Sequence, residues 1–223
     1  MSKDKSAPQD AENFMLSEYS LLKDFRASVL RQMDSRLNIY FASVSGVVAA
    51  LALLNQILKL SIAFYLASLV LLLLLAMLGI TTFNRIVQGH ISVTRYTRGI
   101  NLARRYFVSL HKTVGQYISQ PIVDSEPLFG SMGFISENKS PKINRIGLTA
   151  MSIPLNSLVV ALLSVFIVQF SGQISIAISV LFGVFVFVAS FVLHEVYLKD
   201  AMKKAEENYL RDQEKLKESV KNL

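Results

Sequence analysis

Four apolar runs, arranged as two pairs, constrain this chain more than any other feature. The first pair is Leu37 to Leu54 and Leu60 to Phe83; the second is Leu148 to Phe170 and Ile174 to Leu193. No Asp, Glu, Lys, Arg or His interrupts any of them. At ~1.5 Å rise per helical residue the first run reaches about 27 Å, just enough for the hydrocarbon core of a bilayer. The second reaches about 36 Å and must tilt or protrude. Asn55, Gln56 and Lys59 separate the first pair, and Ser171, Gly172 and Gln173 the second, so neither turn can hold a domain. Composition agrees: 52% of the 223 residues are hydrophobic, and the mean hydropathy of +0.43 lies above the ordinary globular range.

Charge predicts the orientation. The 23 basic residues fall, with the single exception of Lys59, in three segments: 1–37, 84–147 and 194–223. By the positive-inside rule these three face the cytoplasm and the two turns face outward. This leaves almost nothing outside for an extracellular ligand. It also supplies a plain cause for the net charge of +7, so nucleic acid is disfavoured as a partner. Lys3, Asp4, Lys5 and Asp10 precede any apolar run, unlike a cleaved signal peptide. Neither Gly at position 2 nor a terminal Cys suggests a lipid anchor.

The expected fold is therefore all-α: an integral membrane protein with four transmembrane helices in two hairpins, plus cytoplasmic helices forming a bundle or coiled coil. Five regions follow: a cytoplasmic N-terminal amphipathic helix over 1–36, a first hairpin over 37–83, a cytoplasmic helix and Pro/Gly loop over 84–147, a second hairpin over 148–193, and a cytoplasmic C-terminal helix over 194–223. The expected location is a plasma membrane, the bacterial inner membrane, crossed several times with both termini cytoplasmic.

Lipid gives helices no hydrophobic reason to associate, so close contact favours small residues four apart. Candidate packing rows are Ala42, Gly46 and Ala50 in the first run and Ser175, Ser179 and Gly183 in the fourth, with Ala63 and Ala67, and Ser157 and Ala161, in the others. Packing within the chain is the preferred reading of these rows, ahead of contact between subunits. Pro154 is expected to kink the third run or mark its first turn, with Asn156 available to satisfy freed backbone groups.

A second periodicity begins past the second run. Val93, Tyr96, Ile100, Ala103, Phe107, Leu110, Val114 and Tyr117 recur at steps of three and four, the spacing of a coiled-coil seam. The helix can continue directly from the second run, with Gly89 as a bend, and should stop before Pro121. Leu198, Met202, Ala205, Tyr209, Leu216 and Leu223 form a weaker seam, interrupted by Asp212 and Ser219. Met15, Tyr19, Leu22, Phe25, Val29 and Met33 make the N-terminal segment amphipathic.

Two surfaces stand out as candidate sites. Arg95, Arg98, Arg104, Arg105 and Lys112 form a basic stripe with no acidic residue between Arg85 and Gly115. The stripe reads either as a solvated face that enforces topology or as an anion site, with lipid head groups the favoured ligand. The Pro- and Gly-punctuated stretch from Ser119 to Arg145 carries an apolar cluster, Leu128, Phe129, Met132, Phe134 and Ile135, that docks on the bundle or bilayer or meets a protein partner.

Chemistry is sparse. The chain has no Cys, which excludes disulfides and thiolate metal sites. No phosphate-cradling Gly-rich loop is present. His90, His111 and His194 lie far apart in the sequence without ligand-spaced partners. Membrane-depth charges, which ion-coupled transport requires, are missing. The expectation is a non-enzymatic membrane scaffold or sensor with a cytoplasmic helical interaction module and no cofactor; the alternative is an oligomeric pore or membrane-perturbing effector gated by those helices. The partners this implies are the lipid bilayer and its anionic lipids, then a second copy of the chain or a cytoplasmic protein.

Overall fold

A computed structural model describes residues 6–118, 148–171 and 174–221, and within them the chain is all-α. Four helices account for it: α1, Ser6–Leu58; α2, Ile62–Leu110; α3, Leu148–Phe170; and α4, Ile176–Lys221. A short 3-10 turn, Lys112–Tyr117, follows α2. All four carry windows long and apolar enough to cross a membrane, the mark of a multi-pass membrane protein.

Three of these helices are much longer than their apolar windows. At ~1.5 Å per residue α1, α2 and α4 extend about 80, 74 and 69 Å, against a hydrocarbon thickness of ~30 Å. The excess lies at their charged ends. The composition changes near residues 36, 83 and 193 therefore fall inside unbroken helices. Gly89 is no break in α2. The absence of a Cβ there makes room for Met33 of α1, whose Sδ would lie 2.5 Å from that atom.

Between α1 and α2 the chain reverses in three residues. Lys59 takes a left-handed conformation (φ 52°), which ends α1. Ser61 then caps α2 by accepting a hydrogen bond from the Phe64 amide at 3.4 Å. At the second turn, Gln169 Nε2 donates to Ser179 Oγ at 2.6 Å and ties α3 to α4.

Helix α2 is the central element. It packs along α1 and against α3, and α3 packs along α4. It contributes to each of three buried clusters: Ile86 and Val93 with Met33 and Leu37; Leu75 and Ala76 with Tyr40 and Val159; Phe83 and Val87 with Ile153. Only 11 to 33% of each apolar window is buried within the chain, so most of the apolar surface faces outward. Leu66, Val70, Leu73, Ile178, Leu181 and Phe185 are among the large side chains half exposed or more or nearly so. Such continuous apolar area has no stable place in water.

Candidate functional site

Beyond the apolar windows the charged end of α2 meets that of α1 and, separately, that of α4. Phe25 of α1 meets Tyr96 of α2 with ring centroids 5.7 Å apart. Leu22 of α1 packs where a Cβ on Gly99 would stand, at 2.9 Å. Near the far end of this pair, Glu12 of α1 lies 3.9 Å from His111 at the end of α2.

On the other side of α2, Arg98 is 3% exposed and points at α4. Its Nη2 donates to both carboxylate oxygens of Glu206, at 2.8 and 2.7 Å. Its guanidinium carbon stands 4.0 Å from the ring centroid of Tyr209. Glu206 and Tyr209 are three apart and so share one face of α4. A buried arginine is costly unless a carboxylate and an aromatic face replace its water. Both replacements come from α4, Glu206 lying 108 residues from Arg98 in sequence.

This placement divides the basic stripe. Arg98 belongs to the α2–α4 contact. Arg95 and Arg105 are exposed, and Arg104 is half-buried with Nη1 donating to Asn101 Oδ1 at 3.2 Å. Lys112 is exposed but lies in the 3-10 turn beyond the end of α2, so it does not continue the helical line. Arg105 stays in solvent, although it lies one heptad from Arg98, because α4 gives little cover there: Glu214 to Ser219 are all exposed.

The seam is buried along only part of its length. Val93, Ile100 and Ala103 are buried and Tyr96 and Phe107 half-buried, but Leu110 and Tyr117 are exposed. In α4, Ala205 is buried and Leu198, Met202 and Tyr209 are half-buried, while Leu216 is 57% exposed. In α1, Met33 is buried; Met15, Tyr19, Leu22 and Val29 are half-buried.

The small-residue rows also separate. Ser157 and Ala161 of α3 and Ser179 and Gly183 of α4 are buried, with Val165 occupying the space a Cβ on Gly183 would need. Ser175 is exposed. Ala42 and Gly46 are exposed too, with Ala50 half-buried, and nothing lies within 4 Å of a Cβ placed on Gly46. At Gly46, then, no other part of the described chain packs on the α1 row, which is less enclosed than the rows of α3 and α4. Ala63 is exposed and Ala67 half-buried.

One contact that holds α1 to the rest of the apolar region was not visible as a row. Tyr40 of α1, Gly79 of α2 and Asn156 of α3 meet at one point. Asn156 Nδ2 donates to Gly79 O at 3.0 Å, so it bridges two helices and does not repair the backbone at Pro154. Tyr40 is fully buried, and its Oη and Asn156 Oδ1 each stand 2.5 Å from the position of a Cβ on Gly79. Only glycine admits both.

The histidines remain apart. The His194 ring lies 4.8 Å from that of Phe83, and its Nδ1 is 2.8 Å from Ser190 O. Burial holds His90 below the ordinary imidazole value of 6.5. Among the described residues no group of His, Asp and Glu could hold a metal ion. The apolar loop cluster, Leu128, Phe129, Met132, Phe134 and Ile135, lies outside the described residues. Compared with known proteins, the chain matches no family model, no curated protein and no solved structure.

Proposed function

We propose that the chain is a non-enzymatic membrane scaffold or sensor. It crosses a plasma membrane four times in two hairpins, with the charged helix ends forming a cytoplasmic interaction module. The observation that carries this reading is the continuity of α1, α2 and α4 from apolar window to charged end, with Arg98 and Glu206 joining α2 to α4 there. A helix without a break transmits tilt or translation along its length. A change in the apolar part would therefore reach the surfaces of the module without a hinge. The remaining basic surface, Arg95, Arg104 and Arg105 with Lys112, is the surface offered to a cytoplasmic partner, and Leu128, Phe129, Met132 and Phe134, outside the described residues, are the further candidates for such a contact.

The chain lacks cysteine, so single cysteines report without background. Cysteines at Ser6, Ser131 and Asn222 are expected to label only from the cytoplasm, and one at Gln173 only from outside. Labelling of Ser131→Cys from outside would overturn the two-hairpin topology.

The alternative is an oligomeric pore or membrane-perturbing effector gated by the cytoplasmic helices. Tyr40, Leu75 and Val159 of α1, α2 and α3 pack together, which favours a conduit between copies over one within the chain. Conductance of the reconstituted protein in planar bilayers, with the oligomeric state in detergent, separates the two readings. A monomer without conductance leaves the scaffold or sensor.

A further inference from the structure

Helix α4 loses its cover part-way along its charged end. Ala205 is buried and Tyr209 half-buried where the Arg98 contact lies, but Leu210 and Leu216 are 53% and 57% exposed. The face that meets α2 does not stop there. In the sequence Tyr209, Gln213, Leu216, Val220 and Leu223 follow one another at alternating steps of four and three, the spacing of a coiled-coil seam. Along this line the seam holds no charge, because Asp212 and Ser219 fall on its edge.

Two surfaces that could cover this seam fit it poorly. Helices α2 and α4 both run from a turn toward a charged end, so the heptad after the Arg98 contact sets Arg105 of α2 level with Gln213 and Leu216 of α4. No carboxylate stands at that step in the place of Glu206, so closing α2 over it would bury an arginine without its partner. Arg105 is exposed. The bilayer is out of reach: Leu216 lies about 34 Å beyond Leu193 along the helix, and a charged surface acts over only ~8 Å.

A second copy fits it well. Unbroken helices anchored in one membrane point their charged ends the same way, so two α4 ends would pair in parallel. In register along Gln213 and Leu216, such a pair sets Asp212 of one chain beside Lys217 of the other, and the two-fold axis repeats the contact. The other flanking positions, Leu210 and Ser219, are uncharged, so no like charges meet. Asp212 and Lys217 are exposed, and neither is in an ion pair among the described residues. A seam through Asp212 would instead bring two carboxylates face to face. We infer that the end of α4 beyond Tyr209 is an interface at which a second copy of this chain pairs in parallel along Gln213 and Leu216, with Asp212 and Lys217 bridging the copies. This names a partner for the cytoplasmic module and rests on the membrane-spanning reading of α4. The polar Gln213 fixes the register at some cost in stability.

The chain has no cysteine, so a single one reports on pairing. Full-length Gln213→Cys and Leu216→Cys would each be reconstituted in bilayers and oxidised. Both are expected to form disulfide-linked dimers at least about tenfold faster than Glu218→Cys, because a disulfide needs Cα atoms ~4.4–6.8 Å apart and position 218 lies on the opposite side of the helix. Adding Asp212→Lys to the Leu216→Cys chain should reduce the rate to the Glu218→Cys level, and so should Lys217→Asp, since each sets like charges across the seam. Mixed in one bilayer under different tags, these two variants should cross-link to each other and not to themselves. No dimer at either seam position, equal rates at the seam and at Glu218→Cys, or indifference to the charge changes overturns the inference, whatever other protein or part of the chain then covers the face. Cross-linking at one of the two seam positions and not the other would mean antiparallel ends. That result overturns the membrane-spanning reading of α4 together with the register derived from it.

Discussion

Two of the junctions between the helices use opposite chemistry. In the apolar region Tyr40, Gly79 and Asn156 join three helices through a missing side chain and one neutral hydrogen bond. In the charged ends Arg98, Glu206 and Tyr209 join two helices through a buried ion pair covered by an aromatic ring. The difference follows from the surroundings. An apolar surrounding cannot replace lost water around a charge, so the apolar junction avoids charge and relies on close backbone approach. The charged ends have water at hand, so an ion pair forms there and gains strength where α2 and α4 exclude that water. The first junction sets how close helices come; the second sets which faces meet.

The largest effect is expected from breaking the ion pair on one side only. Glu206→Ala leaves Arg98 buried without its carboxylate, at a cost of about 3 kcal/mol, the lower end for a buried pair because Glu206 is 19% exposed. Hydrogen exchange and proteolysis should show α4 released beyond Ala205 while the apolar region stays intact. Replacing both partners, as Arg98→Met with Glu206→Leu, should cost far less, since no charge is left stranded. A double variant as unstable as the single one would mean that the pair does more than satisfy itself.

The apolar junction comes next. Gly79→Ala places a Cβ 2.5 Å from Tyr40 Oη and Asn156 Oδ1, which must both move inside a packed interior. The expected loss is about 1–3 kcal/mol, read from thermal or denaturant unfolding in detergent. Gly46→Ala, on the open face of α1, is the matched control and should leave the midpoint unchanged. Equal effects at the two glycines would refute the distinction between an internal and an outward row.

Tyr209→Leu keeps an apolar cover but removes the ring face from Arg98, for a loss of about 0.5–2 kcal/mol in the same release assay. Smaller again is a pH effect. Burial lowers the folded-state pKa of His90, so the neutral ring is the form the fold favours. Its contribution is fully present above about pH 6.5, the ordinary value, and declines as pH falls toward the lowered value. His90→Gln should flatten that part of a stability-against-pH profile. Least of all, Asp200→Asn removes a fully solvated pair with Lys204, 2.8 Å apart, and should not measurably shift the unfolding midpoint.

The basic stripe shows why part of the charged region was not legible. Arg98, Arg105 and Lys112 recur every seven residues, and no acidic neighbour on α2 marks one of them as different. Arg98 differs because Glu206 and Tyr209 arrive from another helix. A triple replacement at these three positions would therefore mix loss of a structural ion pair with loss of a surface charge. Arg105→Gln with Lys112→Gln tests the surface alone. Likewise, Ala42, Gly46 and Ala50 carry the same spacing as Ser175, Ser179 and Gly183, yet the second row is the more enclosed within the chain. Spacing identifies a face that permits close approach; it does not say whether another helix takes it up.

What the sequence determined by itself was local and additive. Runs of apolar residues without charge specify helices of membrane length, and the period of three and four specifies which side of each extension is apolar. These properties depend on residues within a few turns of one another, where backbone geometry is the same wherever the helix lies. Only the tertiary structure decided that the apolar and charged stretches share single helices, that Tyr40 and Asn156 meet over Gly79, and that Arg98 turns toward Glu206. Each of those depends on the distance and rotation between helices far apart in sequence, which arise from the packing of whole surfaces and from no single stretch of residues.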